Sequence, residues 1–127
     1  MYTFKKEERL CNKKLIEGLF HNGSSFLCYP YRVTWQLNEF SGPFPVQVVF
    51  SVSKKRYKLA VDRNRIKRLM REAYRLNKQL ALYRFLDSAG KKIILSVGYI
   101  GKEIAPADVT EKKMTKLMKQ LCAEIAA

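Results

Sequence analysis

The chain has 127 residues, 25 of them Lys or Arg against 11 Asp or Glu, for a formal net charge of +14. That length suits one domain, and a hydrophobic share of 47% can build a core, which excludes a disordered polyelectrolyte. No apolar run approaches the roughly 20 residues of a bilayer span, and the opening MYTFKKEERL lacks the apolar stretch of a secretory signal. The expectation is a cytoplasmic protein with no membrane contact, whose charge surplus calls for a polyanionic partner.

Residues 12–21 read as a short helix, with Asn12 as N-cap, an apolar face of Leu15, Ile16, Leu19 and Phe20, and Gly23 as the stop. A strand follows in which Tyr31, Val33, Trp35 and Leu37 alternate with Arg32, Thr34 and Gln36. Beyond the turn-forming NEFSGPFP, residues 46–52 place Val46, Val48, Phe50 and Val52 on one face of a second strand. The connection predicts that these two strands pair antiparallel. SKKRYK then leads into a second helix over 62–83, with Asp62 as its N-cap. After DSAGKK, the run IILSVGYI reads as a buried strand. A last helix, 108–126, opens on Asp108 and Glu111 as a capping box and sets Val109, Met114, Leu117, Met118, Leu121, Cys122 and Ile125 at core spacing. The order predicts an α+β domain spanning 1–127, helices layered on a small sheet. Cys11, Cys28 and Cys122 are far apart, form no C-x-x-C pair and have only His21 for company, so reduced thiols packed as small apolar groups are expected, with no protein metal site.

The charge is concentrated. Residues 54–84 hold twelve basic side chains and two acids, Asp62 and Glu72, so +10 of the +14 lies in a quarter of the chain. On a helical wheel, Ile66, Leu69, Met70, Ala73, Leu76, Asn77 and Leu80 gather on one side, while Asn64, Lys67, Arg68, Arg71, Arg75 and Lys78 gather on the other. An ordinary solvated face would interleave acids four residues from the cations, and this one has almost none. Arg63 and Arg65, placed at the start of the helix, oppose its macrodipole unless an anion binds there, at about 0.3–1 kcal/mol each. Phosphate answers both features. A membrane-lying helix is disfavoured, because the apolar side is needed for the core.

The segments SVSKK and AVDRNRIKRLMREAYR, together with the opening FKKEERL and a first helix ending in FHNG, resemble the ribonuclease P protein family over essentially the whole chain. The resemblance implies a small α/β sandwich on a roughly four-stranded sheet, with the R-N-R helix making a left-handed crossover between parallel strands, against the usual hand. It implies a non-catalytic subunit of a ribonucleoprotein endonuclease. Its partners are a catalytic RNA and precursor tRNA, and the RNA, with Mg²⁺ that it chiefly holds, removes the 5′ leader. Position by position, Arg63, Asn64, Arg65, Lys67, Arg68, Arg71 and Arg75 are implied RNA contacts, with Lys54, Lys55 and Arg56 before them. A leader groove between first helix and sheet is implied to use Phe20, Val33 and Trp35, with Tyr31 beside them. Ile16 is also implied in the groove, as an apolar sugar or base contact where the family commonly has an aromatic residue, and RYKLAVD is one residue longer than the commonest connection.

Two other readings share the charge logic. A structural RNA-binding protein of ribosomal type would need no processing role. A self-sufficient nuclease would need paired carboxylates or a Cys/His cluster, and no such pattern is visible. No helix-turn-helix spacing supports DNA binding. A domain this charged is expected to be monomeric until RNA arrives.

Overall fold

The structure, a computed structural model, describes residues 4–127. Residues 1–3, which open the segment read above for a signal, lie outside the described residues. Helix α1 (Lys13–Asn22) starts as its sequence predicts, with Asn12 Oδ1 accepting the Leu15 N–H at 3.1 Å. It ends at Gly23, where any Cβ would come within 2.5 Å of the Leu19 carbonyl oxygen. Only glycine fits that approach. Two strands follow, β1 (Ser24–Cys28) and β2 (Tyr31–Leu37), turning at a cis Tyr29–Pro30 bond. The sequence reading missed β1, whose SSFLC carries no clean alternation.

The expected pairing of the 31–37 and 46–52 strands is wrong. The sheet order is β1-β2-β4-β3: β4 (Ile93–Tyr99) lies between β2, which it pairs antiparallel, and β3 (Val46–Val52), which it pairs parallel. β4 is the most buried of the four strands, with every residue but Gly98 buried, as suits a strand flanked by neighbours on both edges. The crossover from β3 to β4 runs through α2 (Ala60–Lys78), a π turn (Gln79–Tyr83) and α3 (Arg84–Ala89), with α4 (Ala107–Ala126) closing the fold.

Several ends differ from expectation. Helix α2 begins at Ala60 with Leu59 as N-cap and no side-chain cap, so Asp62 sits in its first turn, where the dipole favours an acid. Helix α4 begins after Pro106 without the Asp108–Glu111 box, and Glu111 instead accepts from the Asn77 amide. Leu76 and Leu80 are exposed and Tyr74 is buried, because the inward stripe of α2 is Ile66, Met70, Ala73, Tyr74 and Lys78. Cys28 is buried and Cys122 half-buried, but Cys11 is exposed.

The two faces of the sheet are unlike. Tyr31 and Val33 of β2, Val46 to Val52 in alternation on β3, and Ile93, Leu95, Val97 and Tyr99 of β4 pack against α2, α3 and α4 in the main core. On the other face, α1 covers only part of the sheet, through a small cluster of Leu10, Leu19 and Ile94 with Leu15, Ile16, Phe40 and Val49 beside it.

A strap formed by the residues before α1 crosses the edge of β3. Leu10 N–H donates to the Val48 carbonyl at 2.9 Å, and Arg9 bridges Val48 in parallel. Glu8, fully buried, accepts from Lys78 Nζ and from the Tyr83 hydroxyl. The i→i+5 geometry of the π turn brings Lys78 and Tyr83, five residues apart, to one carboxylate.

Candidate nucleic-acid interface

The outward side of α2 carries Asn64, Arg65 and Arg68, with Lys67 and Arg71 on the flank nearer the strap. Asn64, Arg65, Arg68 and Arg71 are exposed and Lys67 is half-buried. None of the five forms an ion pair among the described residues. A stretch of fixed cations without counter-charges is an electrostatic footprint for a polyanion.

The rest of the predicted set is placed differently. Arg63 donates from Nη1 to the carbonyls of Tyr57 at 2.8 Å and Lys58 at 3.0 Å, tying the preceding loop to the helix. Arg65 lies in the second turn, so the dipole conflict inferred from a start at Asp62 falls mainly on Arg63, which these carbonyls offset. Arg75 pairs with Glu72, three residues away; that bond holds the Glu72 carboxyl below its ordinary range and pushes the guanidinium up. Lys78, read on the outer side from the sequence, is 2% exposed and belongs to the interior with Glu8. Burial lowers its pKa, and the bond from Glu8 works in the opposite sense.

Lys54, Lys55 and Arg56 occupy an exposed turn directly after β3. Ser53 Oγ accepts the Lys55 N–H at 3.2 Å, Tyr57 N–H donates to the Ser53 carbonyl, and the Tyr57 hydroxyl donates to the Gly101 carbonyl at 2.7 Å. The turn is thereby fastened beside the β4–α4 loop, its three cations free to face solvent.

An open groove of about 240 Å³ runs beside this turn on the α1 side of the sheet, lined in part by Phe20, Arg32, Thr34, Ser51, Ser96 and Gly98. Phe20, from the last turn of α1, is 59% exposed, large for an aromatic ring. The floor is low because Gly98 carries no side chain: an added Cβ would sit 3.3 Å from Ser51 Oγ. Thr34 Oγ1 is hydrogen-bonded to Ser25 Oγ at 3.1 Å, and Ser51 and Ser96 add hydroxyls to the lining. Arg32 is exposed and makes no ion pair among the described residues.

Three residues assigned to a leader groove by the resemblance are not here. Tyr31 and Val33 are fully buried, and Tyr31 donates its hydroxyl to the Thr110 carbonyl in α4 at 3.0 Å. Trp35 is partly buried on the same side, with Nε1 3.5 Å from Glu124 Oε1 of α4. Side chains alternate across a strand, so these three share the core face and Arg32 and Thr34 take the α1 face. Ile16 packs on the small cluster beneath α1 and does not line the groove. The missed residues are Arg32, Thr34, Ser51, Ser96 and Gly98; the signal for the first two was the alternation itself, once Tyr31 and Val33 are taken as core.

No group of three His, Cys, Asp or Glu that could hold a metal occurs among the described residues, and none of their helices is long and apolar enough to cross a membrane.

Comparison with known proteins agrees with this architecture. The Ribonuclease P family model matches residues 4–122. The ribonuclease P protein component of Chlorobium phaeobacteroides is 36% identical over 130 aligned positions, covering 94% of this chain and 88% of that protein. That of Porphyromonas gingivalis is 44% identical over 79 residues, covering 62% of this chain but only 58% of the relative's length. Among solved structures, the Thermotoga maritima ribonuclease P protein superposes with a TM-score of 0.70 at 24% identity, covering 89% of this chain and 96% of that one. The Staphylococcus aureus protein gives 0.67 at 21%, covering 90% and 94%. At those identities the superpositions speak for the fold. With the family model spanning nearly the whole chain and a relative above one-third identity along nearly all of it, the chain belongs to the ribonuclease P protein component family.

Proposed function

We propose that the chain is the protein subunit of a bacterial ribonuclease P, which binds the catalytic RNA through the basic side of α2 and the 54–56 turn and holds the 5′ leader of precursor tRNA in the open groove. The observation that carries the proposal is that two surfaces with different chemistry meet at the 54–56 turn, which follows Ser53 at the edge of the groove. One is a stretch of cations that form no ion pair among the described residues, suited to a folded polyanion. The other is a shallow trough with an exposed ring, hydroxyls and one guanidinium, suited to a single strand. Phosphate contacts would supply affinity and position. Phe20 would stack on a leader base, with Arg32 on its backbone.

Hydrolysis of the phosphodiester is assigned to the RNA, with Mg²⁺ as the RNA's ion. The basic cluster does not suit a resident Mg²⁺, which requires hard oxygen ligands, chiefly carboxylates, so no step is routed through a protein-bound metal. What the chain contributes is positioning. It lowers repulsion between two polyanions and fixes the direction in which the leader leaves the cleavage site. The repulsion of a +14 surface favours a monomer until RNA binds, and the cytoplasm, where tRNA is made, is the proposed compartment.

The test is reconstitution. Protein, the ribonuclease P RNA of the same genome and precursor tRNA are combined at a low Mg²⁺ concentration at which the RNA alone is slow. Faster release of the 5′ leader is expected; tight RNA binding with no gain in cleavage would instead identify a structural RNA-binding protein.

A further inference from the structure

The strap and α2 meet in a second basic concavity, separate from the groove and on the other side of β3's edge. It is an open cleft of about 200 Å³, lined in part by Phe4, Arg9, Cys11, Phe50 and Arg71. We propose that this cleft is a phosphate site, in which Arg9 from the strap and Arg71 from α2 clasp one RNA phosphodiester between them. The inference rests on the RNA reading above and adds to it a contact element, the strap, that the basic side of α2 does not include.

Three observations carry it. Arg9 and Arg71 are exposed, and neither forms an ion pair among the described residues, Glu7 included. Two arginines lining one cleft without forming an ion pair repel one another, and a tetrahedral anion with several acceptor oxygens answers both. Second, the strap is held too firmly to be a loose tail. Glu8 is buried against Lys78 and Tyr83, and its Oε2 accepts the Lys5 N–H at 2.7 Å. Leu10 is bonded to β3, and the Phe4 ring packs edge-on to Tyr74 at 5.8 Å. The one buried carboxylate of the strap faces the interior lysine, so it fixes the strap without neutralising the guanidinium next to it. Third, Arg9 is aimed: its guanidinium carbon lies 5.5 Å from the centroid of the Phe4 ring, a contact that limits its rotamers before any ligand arrives.

Continuity with α2 selects RNA as the source of the phosphate. Arg71 follows Lys67 by one helical turn on the flank of α2 that leads towards Lys78 and Glu8, so a strand lying along that flank reaches the cleft without leaving the basic surface. The phosphate could belong to the catalytic RNA or to precursor tRNA, and the assay separates them.

The experiment measures binding of the full chain to its ribonuclease P RNA across a salt series, and binding of precursor tRNA to the assembled complex. Arg9→Ala and Arg71→Ala are each expected to weaken one of these by about tenfold and to flatten the salt dependence by roughly one phosphate contact. Because they share a phosphate, the double variant should lose little more than either single. Arg9→Ala combined with Arg65→Ala, which lie on different elements, should lose the product of the two. Loss in the RNA-only arm assigns the phosphate to the catalytic RNA, and loss confined to the tRNA arm assigns it to the substrate. Arg9→Lys should restore part of the affinity, and an unchanged unfolding midpoint would confirm that the strap remains seated. If Arg9→Ala binds like the wild type while Arg65→Ala is weakened, or if Arg9→Ala and Arg71→Ala multiply, the shared site is overturned and the α2 surface stands. If Arg65→Ala and Arg71→Ala also bind like the wild type, it is the RNA reading that fails.

Discussion

Ile93, Leu95, Val97 and Tyr99 leave β4 in one direction and Ile94, Ser96 and Gly98 in the other, and the two sets meet different worlds. On the first side three helical segments seal the sheet, and even the polar groups are committed: Tyr31 to the Thr110 carbonyl, Tyr74 to Tyr83, Tyr83 to Glu8. On the second, α1 seals only the end near Leu10 and Ile94 and leaves serines, a threonine, a glycine and an arginine facing a trough. One face provides the stability of the domain, which lets the other remain incompletely packed. A +14 chain needs this division, since its basic surface repels itself and the fold must be held from the far side.

The largest way to disturb the contrast is alkali. Burial raises the pKa of Tyr31, Tyr74 and Tyr83 above the ordinary 10.0. A phenol held neutral in the fold but free to ionise when unfolded adds stability that is complete below about pH 10 and is lost as pH climbs beyond it. Tyrosinate absorbance and near-ultraviolet circular dichroism should therefore change together above that pH. Ionisation of all seven tyrosines near pH 10 with the dichroism intact would mean the closed face is not closed.

Next is the latch between strap and core. Glu8→Gln leaves Lys78 buried without its carboxylate and should destabilise the protein by about 3–5 kcal/mol in denaturant titration. A loss under 1 kcal/mol would show that water reaches the pair. Leu95→Ala, on the closed side of β4, should cost about 2–5 kcal/mol by opening a cavity. Arg32→Ala, on the open side of the neighbouring strand, should stay within about 0.5 kcal/mol. Comparable losses from the last two would erase the distinction between the faces.

Much of this organisation was legible from the residues. The two-residue period on β3 and the Asn12 cap are local signals that the structure keeps, and it keeps the 3.6-residue period of α4 from Met114 onward, while Val109 is exposed and Thr110 is buried in its place. The R-N-R segment identified the family because its residues are dense and specific. What was not legible is long-range. Nothing local says that β4 would insert between β2 and β3, or that Lys78, reading as one more cation on a basic helix, has a carboxylate 70 residues away. The groove was assigned to the wrong side of β2 for a related reason. Tyr31 and Trp35 look suited to stacking, but large apolar side chains on a strand, Val33 included, are core more readily than surface, and the residues that do face the trough are polar or small enough to pass for ordinary solvated positions.

The open face as a seat for single-stranded leader is tested most directly by comparing affinities of the assembled complex for precursor and mature tRNA, with wild-type protein and with Phe20→Ala. Loss of a stacked base predicts about 1–3 kcal/mol weaker binding of precursor tRNA and unchanged binding of mature tRNA. Equal losses for both tRNAs, or none for either, would contradict it.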